Sequence, residues 1–523
     1  MPQPPQPPYP ALLPFQVFDY PIAHLMREKG PVPADAWPPR ADPKVAAWRD
    51  ATSHLPDGGN LIYVHVPFCP FFCHFCFLYK SKAASDRGPA RREEFVQALL
   101  RHIAMLARRH RYDGPPFTTI YFGGGTPTEL TPSQLKRILA ALGSAFPIAG
   151  DAEVTLESVS SHLLDDRLDA CLEAGFTRVS FGVQTLDPAV RRRIGRGESI
   201  ESYERLAERL RGRNVPFNVD LMIGLPGQTV ESFAADVRRT SAWGTGSVDI
   251  YTYWMVPGSR MYDGVLSQHI DDPADSDRRL AFRVAAKRLM KEMGFRPVAT
   301  EAYVRSDTNR FMQSTFGGGG NAQATSLAFG PSAFGFINGT LHRDVPDLHE
   351  YLRLIDRGYF PFQCRQTLDL PTARRRAVLM GIQRLTVPRV IMDAQAPWRR
   401  LADRWVEHGL VVARPESYDL TDWGATWFNL MQLEVVPMRE RLGMAGMMGS
   451  PSQQLARLAG AETGGDVMMR EFTRTVSGRP GLEGRLRLTA YKNYLRLRRV
   501  VDDRAFNFAG AVDGPGTKPE RPA

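Results

Sequence analysis

The chain has 523 residues, which is too long for one ordinary core and predicts a main domain with one or more appended parts. Its 43% hydrophobic and 23% charged content is typical of a globular protein, and no apolar run approaches the ~20 residues of a membrane-spanning helix. The 66 Lys and Arg residues exceed the 56 Asp and Glu residues by 10, which permits an acidic substrate or partner.

The beginning of the chain has a composition of its own. Residues 1–58 are rich in proline and show no sustained period, so we predict an extended N-terminal arm. The arm lacks the basic stretch followed by a long apolar run that marks a secretory signal. We therefore expect a cytoplasmic protein that has no membrane partner.

Strand and helix candidates alternate from residue 61 onward. Short apolar runs predict strands at residues 61–66, 118–122, 153–157, 177–184, 217–224 and 248–254. Apolar residues at helical spacing predict helices at residues 90–110, 133–146, 163–175, 201–214 and 231–244. This alternation indicates an α/β domain over residues 59–300, with a parallel sheet that is wound flat or curled into all or part of a barrel.

The alternation weakens beyond residue 300. Residues 316–339 are rich in glycine and small residues, which indicates loops around one short buried strand, SLAFG. Residues 398–412 and 418–431 predict a helix, a strand, a turn and a second helix, as in a winged-helix module. We therefore predict a smaller α+β module over residues 301–432.

The last segment, residues 433–523, is rich in Met and Gly and then becomes basic. The basic stretch at residues 485–500 has interleaved aromatic residues, which could suit a nucleic acid or an anionic ligand. A solvated basic helix face explains the same pattern. We prefer that interpretation, so we predict a surface extension with a disordered tail and do not expect nucleic acid as a partner.

Polar and glycine-rich groups follow the predicted strands. Three cysteines come after the first strand and the turn GGGTPT after the second, while Glu157 ends the third. Gln184 follows the fourth strand and Asp220 lies within the fifth. Ligands of such folds bind at the carboxyl ends of the strands. The sequence thus predicts a binding site at that edge of the sheet.

Three of the five cysteines lie within eight residues, at Cys69, Cys73 and Cys76. A disulfide framework is not expected, because the cysteines are few and odd in number. Structural zinc takes four ligands, so three thiolates with His65 or His74 leave a zinc site open as an alternative. We favour an iron-sulfur cluster, since three thiolates can hold a 4Fe–4S cluster and leave one iron free for an outside ligand.

The pattern Cys69-x3-Cys73-x2-Cys76 resembles the cluster loop of the radical S-adenosylmethionine (SAM) superfamily. The resemblance implies that the free iron binds the amino and carboxylate groups of SAM. One electron then yields methionine and a 5'-deoxyadenosyl radical, which takes a hydrogen atom from the substrate. The aromatic residue before the last cysteine typically lies near the adenine, which implies that role for Phe75.

Four further motifs occur in the order found in the oxygen-independent coproporphyrinogen III oxidase (dehydrogenase) group. They are YVHVPFC at residues 63–69, YFGGGTPT at residues 121–128, SFGVQT at residues 180–185 and DLMIGLPGQT at residues 220–229. The similarity covers residues 60–260 well and extends loosely to residue 430. It implies a partial (β/α)6 barrel, with the module at residues 301–432 covering the open mouth.

The same resemblance implies SAM contacts near the first two strands. Gly124, Gly125 and Thr126 would lie at the methionine end of SAM. The glycines also make physical sense unaided, because they permit close approach of the backbone to a ligand. Tyr63 would contact SAM or the surroundings of the cluster.

Four polar residues complete the implied site. Glu157, Gln184, Arg196 and Asp220 would surround the ribose and carboxylate of SAM, or a second SAM molecule. From the residues alone, Glu157 and Asp220 could instead make strand-end hydrogen bonds. Arg196 lies in the arginine-rich stretch RRRIGRG, where a surface charge is the alternative.

Two departures from the group bear on the reaction. The enzyme that makes protoporphyrinogen typically has a further cysteine two positions after the third ligand, where this chain has Leu78. Related haem chaperones carry His-Asn-x-x-Tyr-Trp, where residues 307–312 here read DTNRFM. The alternatives are therefore haem-ring opening, methyl transfer or cyclopropanation with two SAM molecules, and haem carriage without catalysis.

The implied partners follow from the chemistry. We expect a small-molecule substrate, either a tetrapyrrole or a natural-product intermediate, with tetrapyrrole chemistry ahead of methyl transfer. A low-potential electron donor such as flavodoxin or ferredoxin must dock near the cluster loop. The basic surplus would help to recruit an acidic protein of this kind.

Overall fold

The computed structural model describes a mixed α/β protein. Its described residues are 28–37, 41–52, 59–76, 78, 80–81, 88–109, 112, 114–253, 260–261, 264, 276–305, 309–312 and 324–436. The predictions for the basic stretch and for the tail lie outside these ranges. No helix among the described residues is both long and apolar enough to span a bilayer.

Six parallel strands lie side by side in chain order at the centre of the fold. Two short strands precede them, β1 (Glu28–Lys29) and β2 (Val32–Pro33). The six are β3 (Asn60–Val66), β4 (Phe117–Gly124), β5 (Ile148–Ser158), β6 (Arg178–Gln184), β7 (Phe217–Ile223) and β8 (Ser247–Thr252). Each neighbouring pair is parallel, which confirms the predicted α/β fold. β3 and β8 pair with other strands and not with each other, so the described sheet stays open.

Helices precede, connect and follow these strands, and the periodicity predicted five of the eight, at residues 90–110, 133–146, 163–175, 201–214 and 231–244. They are α1 (Pro43–Ala51), α2 (Pro89–Arg109), α3 (Pro132–Ala145), α4 (Arg167–Glu173), α5 (Pro188–Arg193), α6 (Ile200–Gly212), α7 (Val230–Ala242) and α8 (Ser276–Glu292). Thr131 and Thr229 start α3 and α7 with capping boxes that bond the first backbone N–H groups. The predicted helix at residues 163–175 is shorter in the structure, because Leu163 ends a separate 3-10 helix, Ser160–Leu163, and α4 begins only at Arg167.

The strand pattern shows which side of the sheet faces the helices. Val179, Phe181 and Val183 of β6 belong to one buried apolar cluster with Tyr203 and Leu206 of α6. The alternate residues of β6 point to the opposite face, because successive side chains of a strand alternate. These residues are polar or glycine, so the inner face of the sheet is available for binding.

Segments beyond residue 300 extend this sheet at both sides. β9 (Arg296–Ala299) and β10 (Ala302–Val304) add antiparallel strands next to β8. β11 (Ser326–Phe329), which is formed by the first four residues of the predicted SLAFG strand, adds to β3 in parallel. Beyond it lie β12 (Phe334–Ile337), β13 (Thr340–Asp344) and β15 (Phe362–Thr367). The segment at residues 301–432 therefore belongs partly to the main sheet, and the predicted domain bounds stay a prediction.

The rest of that segment forms a small unit with its own core. After α9 (Leu348–Asp356), β14 (Tyr359–Phe360) and β15 come α10 (Leu370–Gln383), β16 (Thr386–Pro388), α11 (Arg389–Asp393), α12 (Ala396–Glu407), β17 (Val411–Ala413), β18 (Ser417–Leu420), α13 (Asp422–Thr426) and α14 (Phe428–Val435). The strands pair in the order β16-β18-β17, and Trp405 is buried among the helices. Arg283 of α8 ties this unit to the main domain by donating to the carbonyl oxygen of Thr426.

The described part of the N-terminal arm, residues 28–37 and 41–52, lies at the β15 edge of the large sheet. β1 pairs with β15 and β2 pairs with β14, while Trp37 packs against Phe362 and His342. The sequence did not predict the short helix α1 within this arm. Asp42 caps its first turn, which is a signal that the proline-rich composition hides.

We predict that Gly330→Ala destabilises the protein more than Gly358→Ala. Both glycines have positive φ angles, +107° and +76°, which an alanine adopts at a cost of about 1 kcal/mol. A Cβ on Gly330 would also stand 2.2 Å from the carbonyl oxygen of His65, whereas Gly358 has no neighbour within 4 Å. Urea unfolding of the two variants should differ by roughly 2 kcal/mol. Equal losses would show that the contact between Gly330 and β3 is relaxed at little cost.

Candidate active site

The cysteine loop follows β3 and lies against the glycine turn that ends β4. Gly125 N–H donates to the carbonyl oxygen of Val66 at 2.8 Å, and Thr126 N–H donates to that of Phe68 at 2.6 Å. A Cβ on Gly125 would stand 2.3 Å from the Phe68 oxygen, so only glycine permits this approach. The two backbone bonds hold the start of the loop directly over the turn.

Two neighbouring side chains contact the sulfur atoms of the loop. Cys69, Cys73 and Cys76 are half-buried and form no disulfide. The Thr126 hydroxyl donates to Cys69 Sγ at 3.4 Å, and an Arg196 guanidinium N–H lies 3.5 Å from Cys73 Sγ. Burial raises the pKa of the Cys69 thiol, and the Thr126 hydrogen bond partly offsets that shift.

The donor set of this loop agrees with an iron-sulfur cluster. Three half-buried sulfurs that form no disulfide lie in one short loop, and their neighbours include a hydroxyl donor and a cation that stabilise thiolate charge. Among the described residues, no three His, Cys, Asp or Glu side chains converge as ligands of a single metal ion. A 4Fe–4S cluster needs no such convergence, because each thiolate binds a different iron.

Arg196 is a buried residue of this site. Its side chain is only 8% exposed, and it ion-pairs with Glu198. It also donates to the Tyr203 hydroxyl at 3.0 Å and to the carbonyl oxygen of Gly182. The surface-charge alternative for Arg196 therefore does not apply. These contacts orient the guanidinium group toward Cys73. A contact between Arg196 and SAM stays a prediction.

Glu157 and Asp220 are held at the inner face of the sheet. The Glu157 carboxylate lies over Gly123, where a Cβ would stand 2.6 Å from its Oε2. Burial, with the charge of Asp220, raises the pKa of Glu157 to about 8. The Glu157 residue is half-buried as a whole, so solvent moderates the shift. Burial likewise raises the pKa of Asp220 to about 6, while Arg178 lowers it.

The remaining residues predicted to contact SAM are Gln184 at the end of β6, Tyr63 of β3 and Phe75 of the cysteine loop. Gln184 has a positive φ of 68°, and its side-chain amide folds back over Gly182. The Tyr63 hydroxyl lies 3.3 Å from His65 Nδ1, and burial raises the pKa of Tyr63. Phe75 is half-buried in the cysteine loop itself. The SAM roles of these residues stay predictions.

The sequence analysis did not predict a network of hydrogen-bonded polar side chains on the inner face of the sheet. Asn218 Nδ2 donates to Asp220 at 2.6 Å and to Asp249 at 3.1 Å. Asn309 joins the network by donating to Asp249 through its amide at 2.8 Å and to Glu153 through its backbone N–H at 2.8 Å. The sequence does contain an indication of this network, because the buried strands β7 and β8 both carry polar residues at alternate positions.

An aromatic side chain from a later segment lies on the same face. The Phe311 ring stacks on Tyr121 with centroids 3.8 Å apart and on Tyr63 at 6.3 Å. Phe311 belongs to the stretch that we compared with the haem-chaperone signature, of which residues 307 and 308 lie outside the described ranges. The described part of this segment, residues 309–312, therefore contributes to the inner face of the sheet.

Known proteins resemble this chain in both sequence and fold. A family model described as the radical SAM superfamily matches residues 63–239. Anaerobilin synthase of Escherichia coli O157:H7 is 28% identical over 383 residues, covering 71% of this chain and 83% of that protein. An oxygen-independent coproporphyrinogen III oxidase of Cereibacter sphaeroides is 30% identical over 322 residues, covering 60% of this chain and 70% of the relative.

A solved structure supports the fold. Coproporphyrinogen III oxidase from Escherichia coli, described as a radical SAM enzyme, matches with a TM-score of 0.62 at 21% identity. The match covers 81% of this chain and 99% of that chain. The six-stranded core and much of the C-terminal part of the chain therefore adopt a fold already known.

We predict that Glu157→Gln flattens the pH dependence of stability of the SAM-free protein. The folded state keeps the Glu157 proton up to about pH 8, whereas the unfolded chain releases it near its ordinary pKa of 4.5. The folded state thus binds more protons in this window, so stability falls as pH rises through it. Urea unfolding at several pH values measures the slope. Glu173→Gln, at an exposed position, is the charge-matched control, and an unchanged slope in Glu157→Gln would contradict the assignment.

Proposed function

The chain belongs to the radical SAM superfamily, in the group of oxygen-independent coproporphyrinogen III oxidases and their relatives, and we propose that it acts on a tetrapyrrole or a related substrate. The observation that carries the proposed substrate is the 30% identity to a coproporphyrinogen III oxidase. The cysteine loop, whose sulfurs accept contacts from Thr126 and Arg196, supports the radical SAM chemistry. The protein is thus a radical SAM enzyme, and the family implies a 4Fe–4S cluster and SAM as its cofactors.

Cys69, Cys73 and Cys76 would hold the cluster. When bound, the cluster supplies the electron that divides SAM into methionine and a 5'-deoxyadenosyl radical. Thr126 and Arg196 orient two of the sulfurs, and their hydrogen bonds stabilise negative charge there. The backbone bond from Thr126 to Phe68 keeps the loop from moving away from the glycine turn.

The glycine turn and the strand ends would bind SAM. Gly124 and Gly125 let a ligand approach the backbone, and Phe75 would pack against the adenine. In this proposal, Glu157 and Asp220 would accept hydrogen bonds from the ribose hydroxyls, with Gln184 as a donor. Since Glu157 retains a proton near neutral pH, a cationic ligand would favour its ionised form. Equilibrium dialysis would measure how many SAM molecules bind per chain, one or two.

The substrate would occupy the inner face of the open sheet. Phe311 and Tyr121 offer an aromatic surface there, and the Asn218 network fixes polar groups behind it. Such an arrangement suits a ligand with an extended apolar face and polar edges. Leu78 replaces the additional cysteine of the decarboxylating enzymes, so the reaction at the tetrapyrrole need not be decarboxylation.

A low-potential one-electron donor, such as flavodoxin or ferredoxin, would reduce the cluster. We place the enzyme in the cytoplasm, where a reducing environment keeps the three thiols free of disulfides. The small unit at the C-terminal end would help to exclude water from the reacting atoms.

We predict that Cys69→Ala, Cys73→Ala and Cys76→Ala each abolish SAM cleavage, because each removes one of three cluster ligands. Protein reconstituted anaerobically with iron and sulfide is mixed with dithionite and SAM, and 5'-deoxyadenosine is quantified by chromatography. Cys171→Ala is the control, since Cys171 is buried in α4 away from the loop. Full cleavage by any of the three loop variants would contradict the ligand assignment.

We predict that anaerobic turnover changes a tetrapyrrole and forms 5'-deoxyadenosine in proportion. Coproporphyrinogen III and haem are each supplied with SAM, and products are followed by mass spectrometry. Carbon dioxide release would indicate the decarboxylase. S-adenosylhomocysteine would indicate methyl transfer, and haem binding without SAM cleavage would indicate a carrier. Haem binding without SAM cleavage would overturn the proposed function, as would 5'-deoxyadenosine formation that leaves both tetrapyrroles unchanged.

A further inference from the structure

Three surface segments meet at His74 on the outer side of the cysteine loop. The His74 N–H donates to the carbonyl oxygen of Ile194 at 2.9 Å, and its ring nitrogen Nδ1 lies 2.9 Å from that of Arg193. The His74 carbonyl oxygen accepts from Met261 N–H at 3.1 Å. The end of α5 and residues 260–261 therefore adjoin the loop that carries the sulfurs.

The exposed charged side chains at the end of α5 and at residues 260–261 are all arginines. Arg191 of α5 is buried and donates to the carbonyl oxygens of Thr185 and Glu198, which fixes the helix in place. Arg192 and Arg193, which follow it, are exposed, as is Arg260 beside Met261. The carboxylate within residues 188–198 belongs to Glu198, which is 7% exposed and ion-paired with Arg196. It therefore contributes little to the outer surface.

The same face has an apolar centre. Leu78, two residues after the last cysteine, is 40% exposed and presents an apolar side chain next to the loop. Phe71 and Phe72 are half-buried in the loop, and Phe71 packs against Gly197 with 3.5 Å to a Cβ placed there. Apolar residues surrounded by arginines are the composition of a transient protein interface.

We propose that this face, formed by Phe71, Phe72, Leu78, Arg192, Arg193 and Arg260, is the docking surface for a small acidic one-electron carrier protein. The inference rests on the proposed function. One electron would leave the reduced carrier, which departs oxidised by one electron, and would reach the cluster held by the adjoining cysteine loop. The arginines steer the acidic carrier, and the apolar centre brings it close to the sulfurs.

A double charge reversal, Arg192→Glu with Arg193→Glu, tests the proposal. With reduced flavodoxin at low ionic strength, we expect SAM cleavage to slow by about tenfold or more and the Kd for flavodoxin to rise by a similar factor. The Kd is measured by thermophoresis, without SAM. With dithionite, which needs no docking surface, the rate should be unchanged. Added salt should reduce the difference between variant and parent.

The matched control is Arg108→Glu with Arg109→Glu. These arginines are also adjacent and exposed at the end of a helix, but α2 ends near the opposite, amino-terminal edge of the sheet. Equal losses in both double variants would mean that net charge alone acts, and would overturn the docking surface. A matching loss with dithionite would overturn it too, because the arginines would then act on cleavage itself. Absence of dithionite-driven cleavage in the parent would instead contradict the proposed function, while the Kd comparison would still test the surface.

Discussion

The structure depends on the close approach of two backbone segments, the start of the cysteine loop and the glycine turn after β4. Gly125 has no side chain, so its N–H reaches the carbonyl oxygen of Val66 and the next residue reaches that of Phe68. This contact joins two neighbouring parallel strands just beyond their carboxyl ends. It also sets Thr126 against the first cysteine. The main-chain hydrogen bonds thus fix the start of the cysteine loop, independently of the side-chain contacts with the sulfurs.

The barrel uses its two faces in opposite ways. On β6, β7 and β8, apolar residues pack on the surrounding helices, and most of the alternate residues are polar and face inward. Because buried polar groups are costly unless they are hydrogen-bonded, the inward residues bond to one another, as Asn218 does with Asp220 and Asp249. The cost of this arrangement is visible in Glu157 and Asp220, whose pKa values are raised by burial. A site with such groups responds strongly to a charged ligand.

The alternation of helices with strands of a parallel sheet could be predicted from the sequence, because parallel strands have strong apolar patterns. The glycine turn, Glu157 and Gln184 lie at the carboxyl ends of their strands, as expected, and their contacts with SAM stay predictions. The spacing of Cys69, Cys73 and Cys76 likewise identified the family. The buried position of Arg196 could not be predicted, since its partners Glu198 and Tyr203 are surface-type residues of a nearby helix and turn. Asn309 contacts residues more than fifty positions away, and a single sequence contains no signal for such contacts.

The two outermost strands of the large sheet have a consequence for the protein in a crowded cell. β1 is two residues long, charged throughout, and Glu28 is ion-paired with Arg365. At the other margin, β9 carries exposed Arg296 and Pro297, and proline has no N–H to offer a new strand. Among the described residues, neither margin presents a long row of free amides and carbonyls. The thirteen described strands can therefore share one sheet with little tendency to recruit strands from neighbouring molecules.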